Sequence, residues 1–366
     1  MGNDDAIESL RKRLSEVDAR LIDLVGERLR VVDEIGRLKH STGRPTRDFE
    51  REKEVLDLAH ARAEAAGVPL ALVESLVRSL IRWSLTSQEQ ARVVAEGTGD
   101  GRRALVIGGA GRMGRWFVEF LDSQGFHVET ADPHAEISGV PNTPDYRDAV
   151  GNQDLIVVAT PLGTSATILE HLATLRVSGL VFDIGSLKTP LRGGLEALAR
   201  AGCRVTSLHP MFGPDTDLLS GRHVIFVDVG VPEATAEARQ LFASTMAEPV
   251  DMDLDDHDRL VAFVLGLSHA LNIAFFTALV ESGESAPMLA RLSSTTFDAQ
   301  LEIASNVAGE SPHLYYEIQA LNAYGLEPLE ALRAAVERLL TDVSSKNQDG
   351  FVETMRRGRA YFESRR

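Results

Sequence analysis

The sequence has little cysteine and little positive charge, and both shortages exclude classes of protein. Cys203 is the only cysteine in the 366 residues, so no internal disulfide can form and a reducing compartment is expected. Lysine and arginine number 38 against 54 aspartate and glutamate residues, giving a net charge of −16. Because phosphate binding requires a basic face, this charge argues against nucleic acid as a partner.

Long apolar runs are also missing. The nearest, Leu260–Val280, is interrupted by Ser268, His269 and Asn272, so no membrane segment is expected. The polar, acidic N-terminus has no signal-peptide core, and we expect a cytoplasmic protein. The length suffices for two or three domains, each with its own core.

The first 95 residues show helical periodicity. Apolar residues recur at steps of three and four over Ile7–His40, which predicts one long helix. Gly43 ends it, and Asp48 can cap a second helix over about 49–65. A third helix is predicted over about 71–95, so residues 1–95 form an all-α three-helix unit.

From residue 103 onward, strands and helices alternate. Residues 96–102 are polar and glycine-rich, which predicts a flexible linker. The alternation predicts a Rossmann-type α/β domain with a parallel, doubly wound sheet over 103–230. Residues 231–366 are predicted to form an all-α domain of the kind that commonly provides dimer contacts. The candidate strands are Ala104–Ile107, Val128–Ala131, Leu155–Ala159, Leu180–Asp183, Val205–Leu208 and His223–Val227.

Basic side chains on the first helix have a spacing suited to an anion. Arg28 and Lys39 are eleven residues apart, so they share a face about 16 Å apart and can converge on a small anion. Arg11 is about 25 Å from Arg28 by the same rise, too far to reach that ligand. It could serve a site in a partner subunit whose long helix runs antiparallel.

Polar residues on the other two helices extend this set. Asp48 and Glu52, and then Ser84 and Gln88, are i,i+4 pairs that present polar groups on single faces. With Arg51 and the first helix they suit a dianionic ligand carrying a hydroxyl, and no nucleophile–base pair is evident. On spacing alone, a solvated charged hairpin without a site is the alternative.

This unit resembles the all-helical chorismate mutases. The resemblance is carried by Leu10 and Arg11, Glu27 and Arg28, Gly36 and Lys39, Arg44 to Asp48, Arg51 and Glu52, and Ser84 and Gln88. It implies rearrangement of chorismate to prephenate by an intertwined homodimer. It also implies roles: Lys39 and Gln88 address the ether oxygen, Arg28 and the other chain's Arg11 hold the carboxylates, Glu52 and Asp48 receive the C4 substituent, and Arg51 and Ser84 complete the pocket.

A glycine motif follows the first predicted strand of the second domain. Gly109, Gly111 and Gly114 lie between a strand and a helix, the context in which this spacing binds a dinucleotide pyrophosphate. Asp132 ends the next strand, where a carboxylate accepts the ribose 2′-hydroxyl and repels a 2′-phosphate, which favours NAD over NADP. Arg112 in the loop could offset this preference. Arg112, Met113 and Pro161 are also assigned to cofactor binding, and a decayed site is the alternative.

A histidine stands in the loop that follows another predicted strand. His209 lies in the proline- and glycine-rich segment 207–214, at the strand end where such sheets place ligands. A lone histidine is more often structural, but this position favours function. Residues 183–188 end a neighbouring strand, and we expect Ser186 to contribute to the same cleft. No metal site is expected.

Residues 103–366 resemble prephenate dehydrogenases, chiefly through the Leu208 to Pro214 signature and more loosely through His257 to Arg259 and Leu267 to Leu271. The order of the two halves matches the bifunctional enzymes of tyrosine biosynthesis. The resemblance implies that His209 hydrogen-bonds the C4 hydroxyl of prephenate while hydride passes to NAD and the ring carboxylate leaves as CO₂. A mutase with a non-catalytic NAD-binding regulatory half is a competing interpretation.

Two positions depart from the dehydrogenase pattern. Ala159 stands where members place a serine near the substrate's C4 group, and Asp298, Gln300 or Glu302 stands where members place a substrate-binding arginine. Either another residue supplies the positive charge of that arginine, or the pocket around C4 binds a substrate with an amino group in place of the hydroxyl. In the second case the substrate is 4-amino-4-deoxyprephenate and the product 4-aminophenylpyruvate, for specialised metabolism. We expect Ala159, Asp298 and Gln300 to line the substrate site.

Overall fold

A computed structural model describes residues 3–364, and its first unit is three helices: α1 (Asn3–Ser41), α2 (Phe49–Ala66) and α3 (Leu70–Ala95). The Asp48 side chain caps α2 by accepting a hydrogen bond from the amide of Arg51. Gly67 ends that helix in the left-handed region, with φ of 65°. α3 packs against both other helices. The three predicted helices are therefore confirmed.

The second unit is an eight-stranded sheet with the order β3-β2-β1-β4-β5-β6-β7-β8. Neighbouring strands are parallel except β6 and β7, which are antiparallel. The predicted doubly wound sheet is confirmed, and β3 and β8 are additions to the six predicted strands. β8 carries the sheet past residue 230, where the sequence placed the boundary. The strands are β1 (Arg103–Ile107), β2 (His127–Ala131), β3 (Asn142–Thr143), β4 (Leu155–Val158), β5 (Leu180–Asp183), β6 (Val205–Pro210), β7 (His223–Val227) and β8 (Glu248–Met252).

Helices cover both faces of the sheet, so its central strands are buried on both sides. Along β1, Ala104 and Val106 belong to one core cluster and Leu105 and Ile107 to the other, because strand side chains alternate between faces. This explains the continuous apolar runs in the sequence. The helices of this unit are α4 (Arg112–Ser123), α5 (Tyr146–Ala149), α6 (Leu162–Leu175), α7 (Arg192–Arg200) and α8 (Pro232–Gln240).

The third unit is helical. It begins with a continuous rod, Leu254–Glu281, that is long and apolar enough to cross a membrane by length and composition alone. Only 22% of its most apolar window is buried, and a π-helical stretch, Ala262–Leu267, interrupts it. The helices are α9 (Leu254–Val261), α10 (Ser268–Glu281), α11 (Ala286–Arg291), α12 (Thr295–Gly309), α13 (Pro312–Ala320), α14 (Leu326–Ser344) and α15 (Gln348–Glu363).

The segment between the first two units is packed. The amide of Gly99 donates to the carbonyl of Gln124 at 2.9 Å, and that of Gly101 to the carbonyl of Gly125 at 2.9 Å. A Cβ on Gly99 would lie 2.4 Å from the carbonyl carbon of Gly125, so no side chain fits there. Backbone contacts therefore pack this segment against the turn before β2, which its glycine-rich composition did not predict.

Side chains of the first unit also reach the loop between β6 and β7 and the segment that precedes β8. Glu89 on α3 is 3% exposed and accepts hydrogen bonds from the amides of Leu219 at 2.8 Å and Met246 at 2.5 Å. Arg47 donates to the hydroxyl of Ser220 at 2.7 Å. The three-helix unit thus holds the segment that continues from β6.

Candidate active sites

The predicted anion-binding residues of the first unit lie where α3 packs against α1. The guanidinium of Arg28 donates to the Ser84 hydroxyl at 2.6 Å and to the Leu80 carbonyl at 3.1 Å. The Nζ of Lys39 is 2.8 Å from the carbonyl oxygen of Thr46. Both cations lie on α1, and α3 brings Ser84 against Arg28.

Gln88 lies on the same helix with unused hydrogen-bonding capacity. Among the described residues its buried Oε1 has no partner. A Cβ on Gly36 would lie 2.9 Å from the Cγ of Gln88, so glycine at this position permits the close approach of α1 and α3. The side-chain oxygen of Gln88 can therefore accept a hydrogen bond from a ligand between the helices.

The other residues predicted for this site form ion pairs with neighbouring side chains. Arg11 has a side chain 73% exposed and pairs with Glu8, so within one chain it lies on the surface. Arg51 pairs with Glu54. Glu52 is held through both oxygens by Arg47, at 2.9 and 3.1 Å. The position of Arg47 is evident only from its contacts with Glu52 and Ser220, which no spacing in the sequence indicates.

The glycine loop of the second unit has the form of a pyrophosphate cradle. Gly108, the first residue after β1, has φ of +82°, and a Cβ there would lie 2.6 Å from the carbonyl oxygen of Ala159. A Cβ on Gly114 would lie 2.2 Å from the carbonyl oxygen of Gly108, so α4 packs directly on the turn. Gly111 forms the N-cap of α4 without a side-chain cap, which leaves helix amides available to an anion. The positive φ lies at Gly108, outside the three glycines of the motif.

A cavity of about 790 Å³ opens beside this loop, between the ends of β1 and β4 where the strand order reverses. Asp132, Ala159 and Pro161 line it with Gly111. The size and the crevice position suit a dinucleotide. In the described chain, the carboxylate of Asp132 accepts hydrogen bonds from the amides of Ala110 at 3.1 Å and His134 at 2.9 Å.

Two other residues predicted to bind the cofactor, Arg112 and Met113, do not line this cavity. Arg112 pairs with Glu310 at 2.8 Å and Asp215 at 3.0 Å, and these contacts raise its pKa. Its guanidinium therefore bridges the helical domain and the β6–β7 loop. Met113 packs against the hydrophobic core.

His209 lies at the carboxyl end of β6 and is 5% exposed. Its Nδ1 is 2.9 Å from the Nε2 of His257 on α9. Burial, with the neighbouring His257 and Lys188, holds the pKa of His209 well below its ordinary value. The imidazole is therefore neutral near pH 7 and can accept a proton.

A buried ion pair supports this strand end. Lys188 is fully buried and donates to Asp183 at 2.8 Å and to the carbonyls of Gly185 at 2.8 Å and Leu208 at 2.7 Å. Asp183 also accepts from the Ser207 hydroxyl at 2.5 Å. All three ammonium donors are used, so this pair fixes the loop after β5 against the residue that precedes His209.

The other predicted substrate residues are dispersed. Ser186, in the loop that Lys188 anchors, has a buried hydroxyl with no partner among the described residues. Asp298 accepts from Ser293, and Gln300 donates to Asn272 at 2.8 Å. His269, not assigned from the sequence, likewise has a buried Nδ1 with no partner within residues 3–364, and burial lowers its pKa to about 4.

A glycine-cradled nucleotide crevice with a neutral histidine at the same sheet edge defines the class of nucleotide-dependent dehydrogenases, here joined to a cation-lined helical pocket. Residues 10–89 match the family described as chorismate mutase type II. Residues 127–248 match the nucleotide-binding domain of prephenate dehydrogenase, and residues 253–357 match its dimerization domain. The chain therefore carries a type II chorismate mutase domain followed by the two domains of a prephenate dehydrogenase.

Individual relatives agree with this assignment. The T-protein of Enterobacter agglomerans is 29% identical over 85% of this chain and 81% of its own length, and that of Haemophilus influenzae is 26% identical over 98% and 93%. The 4-amino-4-deoxyprephenate dehydrogenase of Streptomyces pristinaespiralis is 29% identical over 68% and 88%. The crystal structure of A. aeolicus prephenate dehydrogenase with hydroxyphenyl propionate and NAD⁺ shares the fold, with a TM-score of 0.58 at 19% identity, over 72% of this chain and 98% of that one.

Proposed function

We propose that this chain rearranges chorismate to prephenate in its helical unit and oxidatively decarboxylates prephenate to 4-hydroxyphenylpyruvate with NAD. The observation that carries the proposal is that one polypeptide holds both sets of groups. Arg28, Lys39 and Gln88 lie on the facing helices α1 and α3, and His209 lies at the carboxyl end of β6, in the same sheet as the glycine loop.

The first reaction needs positioning and charge stabilisation. A pericyclic rearrangement uses no acid or base, so its catalyst folds the substrate and stabilises negative charge on the breaking ether oxygen. In this proposal the ammonium of Lys39 and the amide nitrogen of Gln88 donate to that oxygen, and Arg28 holds a carboxylate. Arg11 is exposed in one chain and is proposed to complete the pocket of the partner subunit.

The second reaction needs a proton acceptor beside the C4 hydroxyl. Gly109, Gly111, Gly114 and Asp132 would hold NAD, which supplies the hydride acceptor when bound. His209 takes the hydroxyl proton as C4 is oxidised. The bond to the ring carboxylate then breaks, its electron pair makes the ring aromatic, and His209 returns the proton to the oxygen.

We further propose a cytoplasmic homodimer. The α1 helix exposes an apolar stripe that includes Leu10, Leu14 and Leu21, each at least half exposed. The rod of the third unit exposes Val264 and Val280 in the same way. Apolar surface of this extent is typical of protein–protein interfaces.

Full-length protein supplied with chorismate and NAD tests both activities in one assay. We expect chorismate to disappear and NADH to form in step with 4-hydroxyphenylpyruvate. Consumption of chorismate with accumulation of prephenate and no NADH would instead identify the second half as a non-catalytic, regulatory domain.

A comparison of prephenate with its 4-amino analogue tests the substrate. Ala159 in place of a serine, together with the Streptomyces relative, keeps the amino compound as the alternative. Sites that pair one polar group reject an analogue by as much as about 10⁴–10⁵-fold where pairing is lost. We expect a higher kcat/KM for prephenate, and the opposite order would establish the amino substrate.

Asp132→Asn tests the choice of cofactor. The substitution keeps the shape of the side chain but removes the charge that repels a 2′-phosphate. A hydrogen bond to a charged group contributes about 1.5–3 kcal/mol, so the NAD-to-NADP ratio of kcat/KM is expected to fall by about 10–100-fold. Asp122→Asn, an exposed position on α4, is the matched control. An NADP preference in the unmodified protein would contradict the assignment.

A further inference from the structure

Three buried side chains form a line of hydrogen bonds that ends at His209. The Nδ1 of His209 is 2.9 Å from the Nε2 of His257, and the Nδ1 of His257 is 2.7 Å from an oxygen of Asp258. His257 and Asp258 have no exposed surface. In a neutral imidazole one nitrogen donates and the other accepts, so the group at the far end of the line sets the direction of every hydrogen bond.

The group at that far end is the carboxylate of Asp258, which accepts four hydrogen bonds. Besides His257, Asp258 accepts from the amide of Lys188 at 2.8 Å and from the amide of Thr189 at 2.5 Å, and also from the Thr189 hydroxyl. Burial raises the pKa of Asp258, but these hydrogen bonds more than offset it and the pKa lies below its ordinary value. Asp258 is therefore ionised near pH 7 and can only accept.

The direction of the line follows. The Nδ1 of His257 donates to Asp258, so the Nε2 of His257 accepts the proton on the Nδ1 of His209. The Nε2 of His209 is then left unprotonated, and among residues 3–364 nothing hydrogen-bonds to it. That nitrogen is the free base that dehydrogenation requires.

Burial, more than the surrounding charges, lowers the pKa of both histidines and keeps them neutral. The charged groups that face them are Asp183 at the end of β5, Lys188 in the loop after it, and Asp258. Burial and the Lys188 ammonium lower the pKa of His257, while Asp258 opposes the shift. Because Lys188 is neutralised by Asp183, Asp258 is left as the negative charge in line with His209.

We propose that His257 and Asp258 are positioning residues for the dehydrogenation: they hold His209 with its proton on Nδ1, and the charge of Asp258 stabilises the imidazolium that forms when His209 takes the substrate proton. This rests on the proposed function of His209. In hydrolases built on a buried carboxylate and a histidine, loss of the orienting charge yields the wrong tautomer and a large loss of kcat.

A pair of substitutions at His257 separates positioning from packing. Glutamine can accept from His209 through its oxygen and donate to Asp258 through its nitrogen, so it preserves the direction of the line, whereas leucine fills the space without either bond. His257→Leu is expected to lower kcat for prephenate by about 100-fold, and His257→Gln by less than about tenfold. The KM for NAD should remain within about threefold in both, because His257 is not part of the nucleotide cavity.

The matched control is His223→Leu. This histidine is half-exposed on β7, the strand beside His209, and pairs with Glu248. Its variant should keep wild-type kcat, and the mutase rate of each preparation checks folding. Equal losses of kcat in His257→Leu and His257→Gln, or no loss in either, would overturn the positioning role.

A readout independent of activity is the tautomer itself. In full-length protein labelled with ¹⁵N-histidine and free of ligands, the His209 signals, assigned with His209→Asn, should show a protonated Nδ1 and an unprotonated Nε2. In His257→Leu both tautomers should be populated, and in His257→Gln the wild-type pattern should return. A protonated Nε2 in the wild-type protein would refute the proposal.

The two proposals fail in different ways. If wild-type protein and prephenate give no NADH, the proposed dehydrogenase function is wrong. The ligand-free spectra still decide the direction of the hydrogen bonds in that case. Should His257→Leu not fold, the spectra of the wild type and of His257→Gln decide it.

Discussion

Replacing His209 by asparagine is expected to lower kcat of the dehydrogenase by about 10²–10⁴-fold, the usual contribution of a positioned general base. Asparagine fits the buried site and can still face His257, but it cannot take a proton. Nucleotide binding should persist, because the glycine loop and Asp132 lie at other strand ends. Steady-state NADH formation measures the first effect, and calorimetric titration with NAD measures the second.

Two controls accompany this variant. The mutase rate of the same protein should be unchanged, since no residue of the α1–α3 pocket contacts His209. His223→Asn removes a histidine from the neighbouring strand and should leave both activities intact. Dehydrogenation at the wild-type rate by His209→Asn would move the proton acceptor to another group.

Replacing Lys39 by alanine is expected to lower the mutase kcat by about 10²–10³-fold, equivalent to roughly 3–4 kcal/mol for one lost donor to a developing oxyanion. The Lys39 ammonium lies 2.8 Å from the carbonyl of Thr46, which orients it without neutralising its charge. Alanine leaves the ether oxygen without this cation. The decrease in chorismate absorbance measures the rate.

The matched control for Lys39 is Lys53→Ala. Lys53 is exposed on α2 in the same unit, and its removal should leave rearrangement unchanged. Dehydrogenation of added prephenate by Lys39→Ala should also be normal. Wild-type rearrangement by Lys39→Ala would mean that the helical unit is a structural arm.

Local patterns were enough to predict most of the elements. Three helices, six strands and the parallel sheet follow from the period of the apolar residues, which packing preserves. The sequence did not predict β8, because this strand contains Pro249 and exposes Glu248 and Asp251 at the edge of the sheet. These features disfavour a strand assignment. β3 has only two residues and gives no periodic signal.

The site residues also fall into two groups, those predictable from local spacing and those that only long-range contacts reveal. The shared face of Arg28 and Lys39 was predictable because both lie on one helix, whose geometry is fixed. The contacts of His257 with His209 and of Arg47 with Ser220 join residues 48 and 173 positions apart. Such contacts depend on how separate units pack together, which no spacing along the chain encodes.

The contact of Glu89 with the loop after β6 affects whether the two halves of the chain can be exchanged independently. Genetic fusions are often read as modules that recombination can exchange at the joining segment. Here an exchange would leave the buried amide of Leu219 without its acceptor, at about 1–3 kcal/mol, and would also remove the acceptor of the half-buried Met246 amide. It would also remove Val93, which belongs to the core of the sheet unit. A mutase unit from a distant relative should therefore join this dehydrogenase half more stably when it carries a carboxylate at the position of Glu89.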